Sequence, residues 1–462
     1  MSLATADLQS LRRRLAGIVV TPADPAWDEA RQAWNLCVDQ RPVAVVVPED
    51  AGGVAAVVAF ARESGLRVAP QTTGHNAAPL GDLGTTILLR TSSLRDVGID
   101  PVGRRARVGA GVLWQDVMGP ANAHGLAALG GSAPDVGVVG YSLGGGIGWL
   151  SRLYGLATNS LLAVELVTPD GRLVRADDDH ETDLFWALRG GGGNFGVVTA
   201  LEFALYPHAE VYGGMMAWDW SESERVLLRW SEWAAGAPDE VTTSARIMQL
   251  PPLPEIPEPL RGRRLVVIDG AHAGDPAAAE AVLAPLRELE PELDFFGVMP
   301  SAGLIRLHGD PEQPVPGLSD HAMLAELPAE AVRAFVAAAG PGSGSTLLQA
   351  ELRQLGGALG RPAARHGALP RLDAAFALFG VGIVMDDAMA EATERDARNL
   401  VAAMAPWVNG RSYLNFAEGP TDAATAYRAE DFRRLQGIRA GIDPDGVMHA
   451  NHPIAAAGDD AG

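Results

Sequence analysis

The chain has 462 residues, a formal net charge of −21 and 47% hydrophobic residues. This length suits one very large domain or two to three ordinary ones. The acidic balance argues against binding to nucleic-acid phosphates or anionic lipid headgroups, which need basic patches. The single cysteine, Cys37, excludes an intrachain disulfide and a CxxC metal or redox pair, and we expect it to be buried.

The N-terminal residues lack the apolar core of a signal peptide. No apolar run approaches the roughly 18 residues that span a bilayer. We therefore expect a cytoplasmic protein with no membrane or nucleic-acid partner and no metal site.

The first predicted elements form an α/β unit. Residues 43–47 predict a buried strand, residues 51–64 a helix, and residues 66–69 a second strand. The loop that follows should lie at the carboxyl end of a strand, where ligands favour binding. It consists of Gln71, Thr72, Thr73, Gly74, His75 and Asn76. Its backbone N–H groups could hold an anion, although a plain turn with an incidental histidine is the alternative.

Two glycine-rich stretches follow, APDVGVVGYSLGGGIG from residue 133 and GGGGNFGVVT from residue 190. The second satisfies GxGxxG, but a predicted helix precedes it and a β-pattern follows it. A Rossmann fingerprint needs a strand, a turn and then a helix. We therefore exclude an NAD site at the second stretch.

The middle of the chain predicts an α+β domain. Strands at 242–248 and 265–270 alternate with helices at 222–235, 276–289 and 328–338. Residues 347–353 alternate with period two, which places Gln349, Glu351 and Arg353 on one face of a strand. That face is either solvated or directed into a substrate cleft.

The C-terminal part contains the pattern Tyr413-Leu414-Asn415-Phe416 and a closing stretch, DPDGVMHANHPI, over 443–454. Tyr413 alone could be a core aromatic residue with its hydroxyl satisfied. The order and separation of TGHN and GYSLGGGIG, however, resemble the vanillyl-alcohol-oxidase superfamily of FAD enzymes, and YLNF matches that family's Tyr-x-Asn-Phe/Tyr pattern. The closer resemblance is to its berberine-bridge-enzyme-like branch, and it extends over residues 42–454.

The resemblance implies an α+β fold. A two-subdomain, PCMH-type FAD-binding domain would comprise residues 1–208, chiefly 38–208, and again 406–462. A substrate-binding domain with an antiparallel sheet covered by helices would be inserted at 209–405.

The resemblance also implies which residues bind the cofactor. Beyond the six loop residues, they are Pro134, Val136, Gly137, Gly140, Tyr141, Gly144, Gly145, Gly148, Asn159, Val198, Tyr413, Asn415 and Asn451. Backbone amides would hold the FAD pyrophosphate without a lysine, because glycine lets the main chain approach closely.

His75 matches the family histidine that bonds to the 8α-methyl carbon of the flavin. Many relatives add a cysteinyl link, but here Ala133 occupies that position, so the resemblance implies one covalent link. Tyr413 is the candidate catalytic base, assisted by a cation from Arg353 or Arg411. Gln349, Glu351 and Arg353 complete the predicted catalytic set. Val136 would leave room for oxygen at the flavin edge.

The predicted function is that of an FAD-dependent oxidase. It would remove a hydride from a CH–OH or CH–NH group of a small secondary-metabolite or sugar-like substrate, with O2 as acceptor, giving H2O2. A dehydrogenase that uses another electron acceptor is the nearest alternative. A non-catalytic flavin-binding or ligand-binding protein is a third hypothesis, from a different class.

Overall fold

The structure is a computed structural model that describes residues 8–15 and 17–455. Within these ranges the chain forms three sheets with helices packed on them. The helices are α1 (Leu8–Arg14), α2 (Trp27–Arg31), α3 (Ala51–Glu63), α4 (Trp114–Asn122), α5 (Val138–Leu143), α6 (Ser151–Tyr154), α7 (Thr182–Leu188), α8 (Ser223–Gly236), α9 (Pro276–Arg287), α10 (Ala329–Ala339), α11 (Asp387–Ala403) and α12 (Ala429–Ile442).

The first sheet has four strands in the order β1-β2-β4-β3. These are β1 (Gly17–Val20), β2 (Ala44–Pro48), β3 (Arg67–Gln71) and β4 (Thr86–Arg90). Strands β2, β4 and β3 are parallel, and β1 is antiparallel to β2. Helix α3 begins because Asp50 accepts a hydrogen bond from the N–H of Gly53. It buries a valine face against the sheet.

The second sheet has five antiparallel strands in the order β5-β6-β9-β7-β8. They are β5 (Val97–Asp100), β6 (Arg105–Gly109), β7 (Leu161–Val167), β8 (Leu173–Asp177) and β9 (Val197–Ala204). Helix α7 precedes the GxGxxG stretch and strand β9 follows it. This confirms that the stretch has the wrong context for a Rossmann site.

The third sheet has eight antiparallel strands, ordered β13-β10-β12-β11-β16-β17-β15, with β14 also paired to β10. The strands are β10 (Glu210–Asp219), β11 (Val241–Gln249), β12 (Arg264–His272), β13 (Leu293–Asp294), β14 (Gly297–Pro300), β15 (Gly317–Leu324), β16 (Gln349–Gln354) and β17 (Phe376–Ile383). One face packs apolar side chains against helices of the same segment. The opposite face carries the polar side chains described below.

The end of the chain returns to the first sheet. Val68 of β3 donates its N–H to the carbonyl of Val447 at 2.8 Å, and its own carbonyl accepts the N–H of His449 at 2.9 Å. Residues after α12 therefore pair with the strand that leads into the Gln71–Asn76 loop. The fold is α+β, as predicted, whereas the proposed domain limits at 208 and 405 stay a prediction.

Cys37 differs from the prediction, because its side chain is exposed. It lies in a surface loop, where its N–H bonds to the side chain of Asn35 rather than packing in a core. Within residues 8–15 and 17–455, no helix is both long enough and apolar enough to cross a membrane.

Candidate functional site

The loop after β3 exposes a run of backbone donors. The N–H groups of residues 73–76 donate to no other group in the described part of the chain. Gly74 adopts φ +86°, and a Cβ there would lie 3.0 Å from Gln71 Oε1 and 3.1 Å from Ala33. Only glycine fits this position without strain. The loop can therefore present consecutive N–H groups to an anion.

The side-chain oxygen of Gln71 is bound by an arginine of the neighbouring strand. Arg90, its neighbour in register on β4, donates to Gln71 Oε1 at 2.5 Å. Arg90 also donates to the backbone carbonyls of Ala30 and Gln32, and burial lowers its pKa to about 10. The side-chain oxygen and the carbonyl of Gln71 are thus used within the protein. Arg90 is a structural cation that the sequence patterns did not reveal.

The first glycine-rich stretch lies directly beside the loop. A Cβ at Gly137 would lie 3.0 Å from Cβ and Cγ2 of Thr72. The hydroxyl of Thr72 donates to the carbonyl of Ala110 at 2.9 Å. The carbonyls of Pro134 and Val136 accept backbone N–H groups from the start of α4. These carbonyl groups and the hydroxyl of Thr72 therefore form hydrogen bonds within the protein. The loop and the glycine-rich stretch lie side by side.

The second half of that stretch packs against the Tyr413 motif. A Cβ at Gly144 would lie 1.9 Å from Asn415 Oδ1. Asn415 donates to the carbonyl of Tyr141 at 3.0 Å and to Tyr413 Oη at 3.2 Å. Tyr413 Oη also accepts the N–H of Gly146 at 2.8 Å. Tyr413 is buried, and burial raises its pKa.

His75 is held between two side chains that sequence reasoning did not select. Its ring stacks on that of Trp34, with centroids 3.9 Å apart and an interplanar angle of 21°. Its Nε2 lies 3.3 Å from Asp135 Oδ1, and Trp34 Nε1 donates to the other oxygen of Asp135. Burial opposes ionisation of Asp135, but His75 and Trp34 outweigh it and lower the pKa of the carboxyl. The sequence signal that could have pointed to this partner of His75 is the acidic residue two positions after Ala133.

A third connection joins the His75 loop to both C-terminal motifs. The carbonyl of Leu414 accepts Asn76 Nδ2 at 3.0 Å and bonds with His452 Nε2 at 3.1 Å. Asn76 Oδ1 and His452 Nδ1 are buried and have no hydrogen-bond partner in the described chain. The hydroxyl oxygen of Tyr141 is also buried and has no hydrogen-bond partner in the described chain.

These unsatisfied atoms test whether an FAD cofactor fits. An unpaired buried polar atom costs about 1–3 kcal/mol, so a cluster of them indicates a missing polar partner. FAD combines a polar isoalloxazine edge with a pyrophosphate, which would suit the free backbone N–H groups of residues 73–76. The residues present therefore fit the cofactor.

Five further predicted cofactor residues are less directly placed. Gly148 packs against the carbonyl of Gly130, where a Cβ would be 1.9 Å away. Asn159 donates to the carbonyls of Leu369 and Pro370. The other three are an exposed Gly140, a buried Val198 on β9 and a half-buried Asn451. Their cofactor roles stay a prediction.

Strand β16 carries the predicted Gln349, Glu351 and Arg353. All three are buried, with 8%, 2% and 8% of their surfaces exposed. The alternative of a solvated sheet face is therefore wrong. Their face is the one opposite the helices, because the alternate residues Ala350 and Leu352 belong to the helix-packed core.

The neighbouring strands complete a buried charged network. Arg246 on β11 donates to Asp269 Oδ2 on β12 at 2.7 Å, and His308 Nδ1 lies 2.7 Å from the same oxygen. His308 Nε2 lies 3.4 Å from Glu351 Oε2, and Arg353 Nε donates to Glu351 Oε1 at 2.6 Å. Arg246, Asp269 and His308 lay outside any sequence motif. Strand pairing brings Arg246 and Asp269 together, and His308 reaches them from the turn that follows the 3-10 helix Ser301–Arg306.

The network reaches Tyr413 through an aromatic contact. The guanidinium carbon of Arg353 lies 5.5 Å from the ring centroid of Phe416, which packs edge-on against Tyr413 at 5.0 Å. Arg411 instead donates to the carbonyl of Tyr427. Of the two arginines considered from sequence, Arg353 is therefore the cation whose field opposes the raised pKa of Tyr413.

Ionisation within the network follows from these contacts. Burial opposes charge on Glu351, but Arg353 and His308 hold its pKa well below the ordinary range. Burial and Arg246 act to lower the pKa of His308, but carboxylates led by Asp269 raise it to about 9. At neutral pH the network is therefore a set of paired charges.

Comparisons with known proteins agree with this site. Residues 42–177 match the family described as an FAD binding domain. (R)-6-hydroxynicotine oxidase from Paenarthrobacter nicotinovorans is 37% identical over 211 residues, which is 46% of this chain and 46% of that protein. The alignments to the first curated relatives span about half of those proteins' length.

Two solved structures match nearly the whole chain. The crystal structure of 6-hydroxy-D-nicotine oxidase from Arthrobacter nicotinovorans superposes with a TM-score of 0.82 and 27% identity, covering 95% of this chain and 98% of that one. Physcomitrella patens BBE-like 1 gives a TM-score of 0.84 at 20% identity, covering 97% and 98%.

The fold and the site together define an FAD-binding protein of the PCMH type. Residues 42–177 belong to the FAD binding domain family, and a berberine-bridge-enzyme-like protein is among the structural neighbours of the chain.

Proposed function

We propose that this protein is an FAD-dependent oxidase that removes a hydride from a CH–OH or CH–NH group of a small molecule and passes the electrons to O2. The observation that carries the proposal is the meeting of three chain segments at Tyr413. The glycine-rich stretch bonds to it through Gly146, the C-terminal motif supplies it, and the β16 charge network reaches it through Phe416. The proposed domains are those of the sequence prediction, with residues 209–405 forming the substrate domain.

The flavin, when bound, supplies a hydride acceptor at N5. The role of the protein's own residues is to remove the substrate proton. Two N–H donors, from Gly146 and Asn415, point at Tyr413 Oη, and such bonds favour the ionised phenol. The hydroxyl proton must then point away from both donors. Tyr413 is thus the proposed base, and Arg353 the proposed cation that favours its ionised form.

The covalent attachment of the cofactor is also part of the proposal. His75 is the proposed attachment residue, since it lies beside the free N–H groups of the loop and keeps a ring nitrogen without a hydrogen bond. Ala133 supplies no sulfur, so one link is expected rather than two. The cytoplasmic location stays a prediction that cell fractionation would test.

Acid precipitation of the purified protein tests the cofactor proposal. A yellow protein whose colour stays in the pellet supports covalent FAD, colour released to the supernatant contradicts the link, and a colourless protein contradicts the whole proposal. Activity requires a second measurement. Cyclic amines should be screened for peroxide formation, because the relatives named above include hydroxynicotine oxidases. Sugar-like alcohols should also be screened, because they belong to the predicted substrate class.

Two outcomes of that screen separate the competing functions. Bleaching of the flavin by a substrate without air, followed by rapid recovery in air with peroxide, supports an oxidase. Bleaching with slow recovery in air supports a dehydrogenase instead. A flavin that no substrate in either class bleaches supports the non-catalytic binding hypothesis.

A further inference from the structure

A buried arginine of helix α6 reaches from the glycine-rich part of the chain into the part that forms the third sheet. Arg152 donates through Nε to the carbonyl of Val241 at 2.8 Å and through Nη1 to the carbonyl of Leu355. Its Nη2 donates to the carbonyls of Ala237 at 2.8 Å and Pro238 at 3.3 Å. The side chain is buried, so water does not compete for these bonds. One guanidinium therefore ties α6 to two separate places around the third sheet.

These two places are the ends of strands that carry the buried charged network. Val241 is the first residue of β11, and Leu355 directly follows β16, two residues after Arg353. The two strands pair with each other, and Ser244 of β11 lies opposite Arg353 in register. A side chain bonded to both strand ends therefore fixes where Arg353 lies.

The other end of the link reaches Tyr413. The N–H of Ala157 donates to the carbonyl of Gly146 at 3.0 Å, which closes residues 146–157 into a loop around α6. The N–H of the same Gly146 donates to Tyr413 Oη. Arg152 and the donor that orients the hydroxyl of Tyr413 therefore belong to one compact unit.

Apolar packing joins the same two parts of the chain. Ile147 and Leu156 of the loop pack in one buried cluster with Leu355 and Tyr413. The hydrophobic effect is non-directional, so this packing resists separation of the two parts more than it resists sliding. Hydrogen bonds depend on distance and angle. The bonds of the guanidinium therefore supply the alignment that packing alone does not.

The chemistry of Arg152 also favours a geometric role. Its partners are neutral carbonyls, although Asp239 lies close enough to favour its charge. Burying a charge with neutral partners is costly, and a buried charge is weak evidence for stability. Stability alone therefore does not account for an arginine at this position. A planar guanidinium does suit it, because its fixed fork of N–H groups can serve several carbonyls at once.

We propose that Arg152 is a positioning residue for the oxidation step, and that it holds β16 where the charge of Arg353 favours the ionised form of Tyr413. This inference rests on the proposed function, because it takes Tyr413 as the base. It goes beyond that function by naming a residue that aligns the base with its cation. Arg152 acts through Arg353 rather than on the substrate.

Arg152→Lys is the sharpest variant because it keeps the charge and removes the planar fork of donors. We expect flavin reduction, measured per bound flavin, to slow roughly 10- to 100-fold, as a misplacement of about 1 Å can cause. The increase of the rate with pH should occur at higher pH, as in a protein without Arg353. Arg189→Lys is the matched control, since Arg189 is also buried but stacks on Phe185 at 4.1 Å. A wild-type rate and pH profile in Arg152→Lys would overturn the inference.

A second variant, Arg152→Ala, leaves space for a free guanidinium ion. Guanidinium chloride, added far below denaturing concentrations, should restore a measurable part of the lost rate of flavin reduction. Sodium chloride at the same concentration should not. Restoration by guanidinium alone supports the inference, and equal rates in the two salts contradict it. If Arg152→Ala does not fold by circular dichroism, the rate and pH profile of Arg152→Lys decide the question.

Failure of the proposed function has a different signature, because no substrate would then bleach the flavin of the wild-type protein. Amide hydrogen exchange tests the link without turnover. Residues 237–244 and 350–358 should exchange faster in Arg152→Lys than in wild type or Arg189→Lys, because the strand ends lose their common anchor. Unchanged exchange in both segments would show that Arg152 does not hold them.

Discussion

The hydroxyl of Tyr413 accepts a hydrogen bond from the backbone N–H of Gly146, 2.8 Å away. These residues are separated by most of the chain and belong to different motifs. This contact requires a residue without a side chain at position 145, because a Cβ at Gly145 would lie 2.9 Å from the ring of Tyr413. The glycine run thus shapes the pocket of the proposed base as well as the proposed flavin site.

Replacing Tyr413 by Phe should slow flavin reduction by roughly 10²- to 10⁴-fold, the usual contribution of a general base. Flavin content should be unchanged, because the ring remains. Anaerobic stopped-flow absorbance would measure the rate. Tyr427→Phe is the matched control, since that hydroxyl is equally buried but bonds to the carbonyl of Gly190. Equal rates in wild type and Tyr413→Phe would remove Tyr413 from the mechanism.

Replacing Arg353 by Met should raise the apparent pKa on which flavin reduction depends. The guanidinium favours the ionised form of Tyr413, so its loss makes the phenol harder to ionise. The increase of the flavin-reduction rate with pH should then occur at a higher pH than in wild type. The pH profile of the reductive half-reaction measures this change. Arg353→Lys keeps the charge and should restore much of the wild-type profile, whereas identical profiles for Met and wild type would contradict the prediction.

Asp269→Asn should change how stability depends on pH. The pKa of His308, about 9, exceeds its ordinary value of 6.5. Its charged form therefore stabilises the fold fully below about pH 6.5, and this stabilisation is lost as pH rises through about 9. Without the Asp269 carboxylate the pKa of His308 falls, so stability should decline less steeply between these values.

Urea unfolding at several pH values between 6 and 10 measures that slope. At neutral pH the variant should also lose about 3–5 kcal/mol, because Arg246 remains as a buried cation without the carboxylate that pairs with it. Asp396→Asn, a buried carboxylate that bonds to Thr346 away from this network, should keep the wild-type slope. An equally steep decline in Asp269→Asn would show that this carboxylate does not set the charge of His308.

Gly144→Ala should displace Asn415 and weaken flavin retention, because the added Cβ would lie 1.9 Å from Asn415 Oδ1. The expected loss of stability is about 1–3 kcal/mol. Gly119→Ala, at a position outside the predicted cofactor set, meets no atom within 4 Å and lies in helix α4. That control should be neutral or slightly stabilising. Thermal unfolding and flavin content should be measured for both variants. Equal stability and equal flavin content in the two variants would contradict the prediction.

Replacing Val136 by Phe should slow flavin reoxidation by O2, because a larger side chain would fill space at the proposed flavin edge. Mixing reduced enzyme with air-saturated buffer measures the second-order rate constant. Val174→Phe, at a half-buried position on β8, controls for a bulky substitution elsewhere. An unchanged oxygen rate in Val136→Phe would exclude Val136 as the residue that controls access.

The sequence predicted those parts of the site that have local causes. The strands at residues 43–47 and 66–69 follow from apolar runs, and the loop at His75 follows from its small residues and Gly74. Motif order then supplied the placement of Tyr413. The partners of these residues depend on strand register instead. Glu351 could be assigned to a face, but nothing in period-two alternation shows that Arg246 on another strand would lie opposite it.

Two misses have the same origin. Arg90 meets Gln71 because β3 and β4 are parallel and in register, and Trp34 meets His75 because its loop bonds to the carbonyl of Thr73. Both contacts join segments that are separate in sequence. The prediction that Cys37 is buried was wrong for a different reason. It was based on residue type alone, whereas the segment that contains Cys37 lies on the surface.

The pairing of Val68 with Val447 and His449 has a consequence for biosynthesis. The first sheet lacks one neighbour of β3 until the ribosome has added roughly 380 more residues. At roughly 5–20 residues per second this takes roughly 20–75 s. A nascent chain must therefore keep an incomplete sheet from aggregating throughout translation of the inserted segment, and messages truncated before codon 447 should yield protein that is degraded or insoluble.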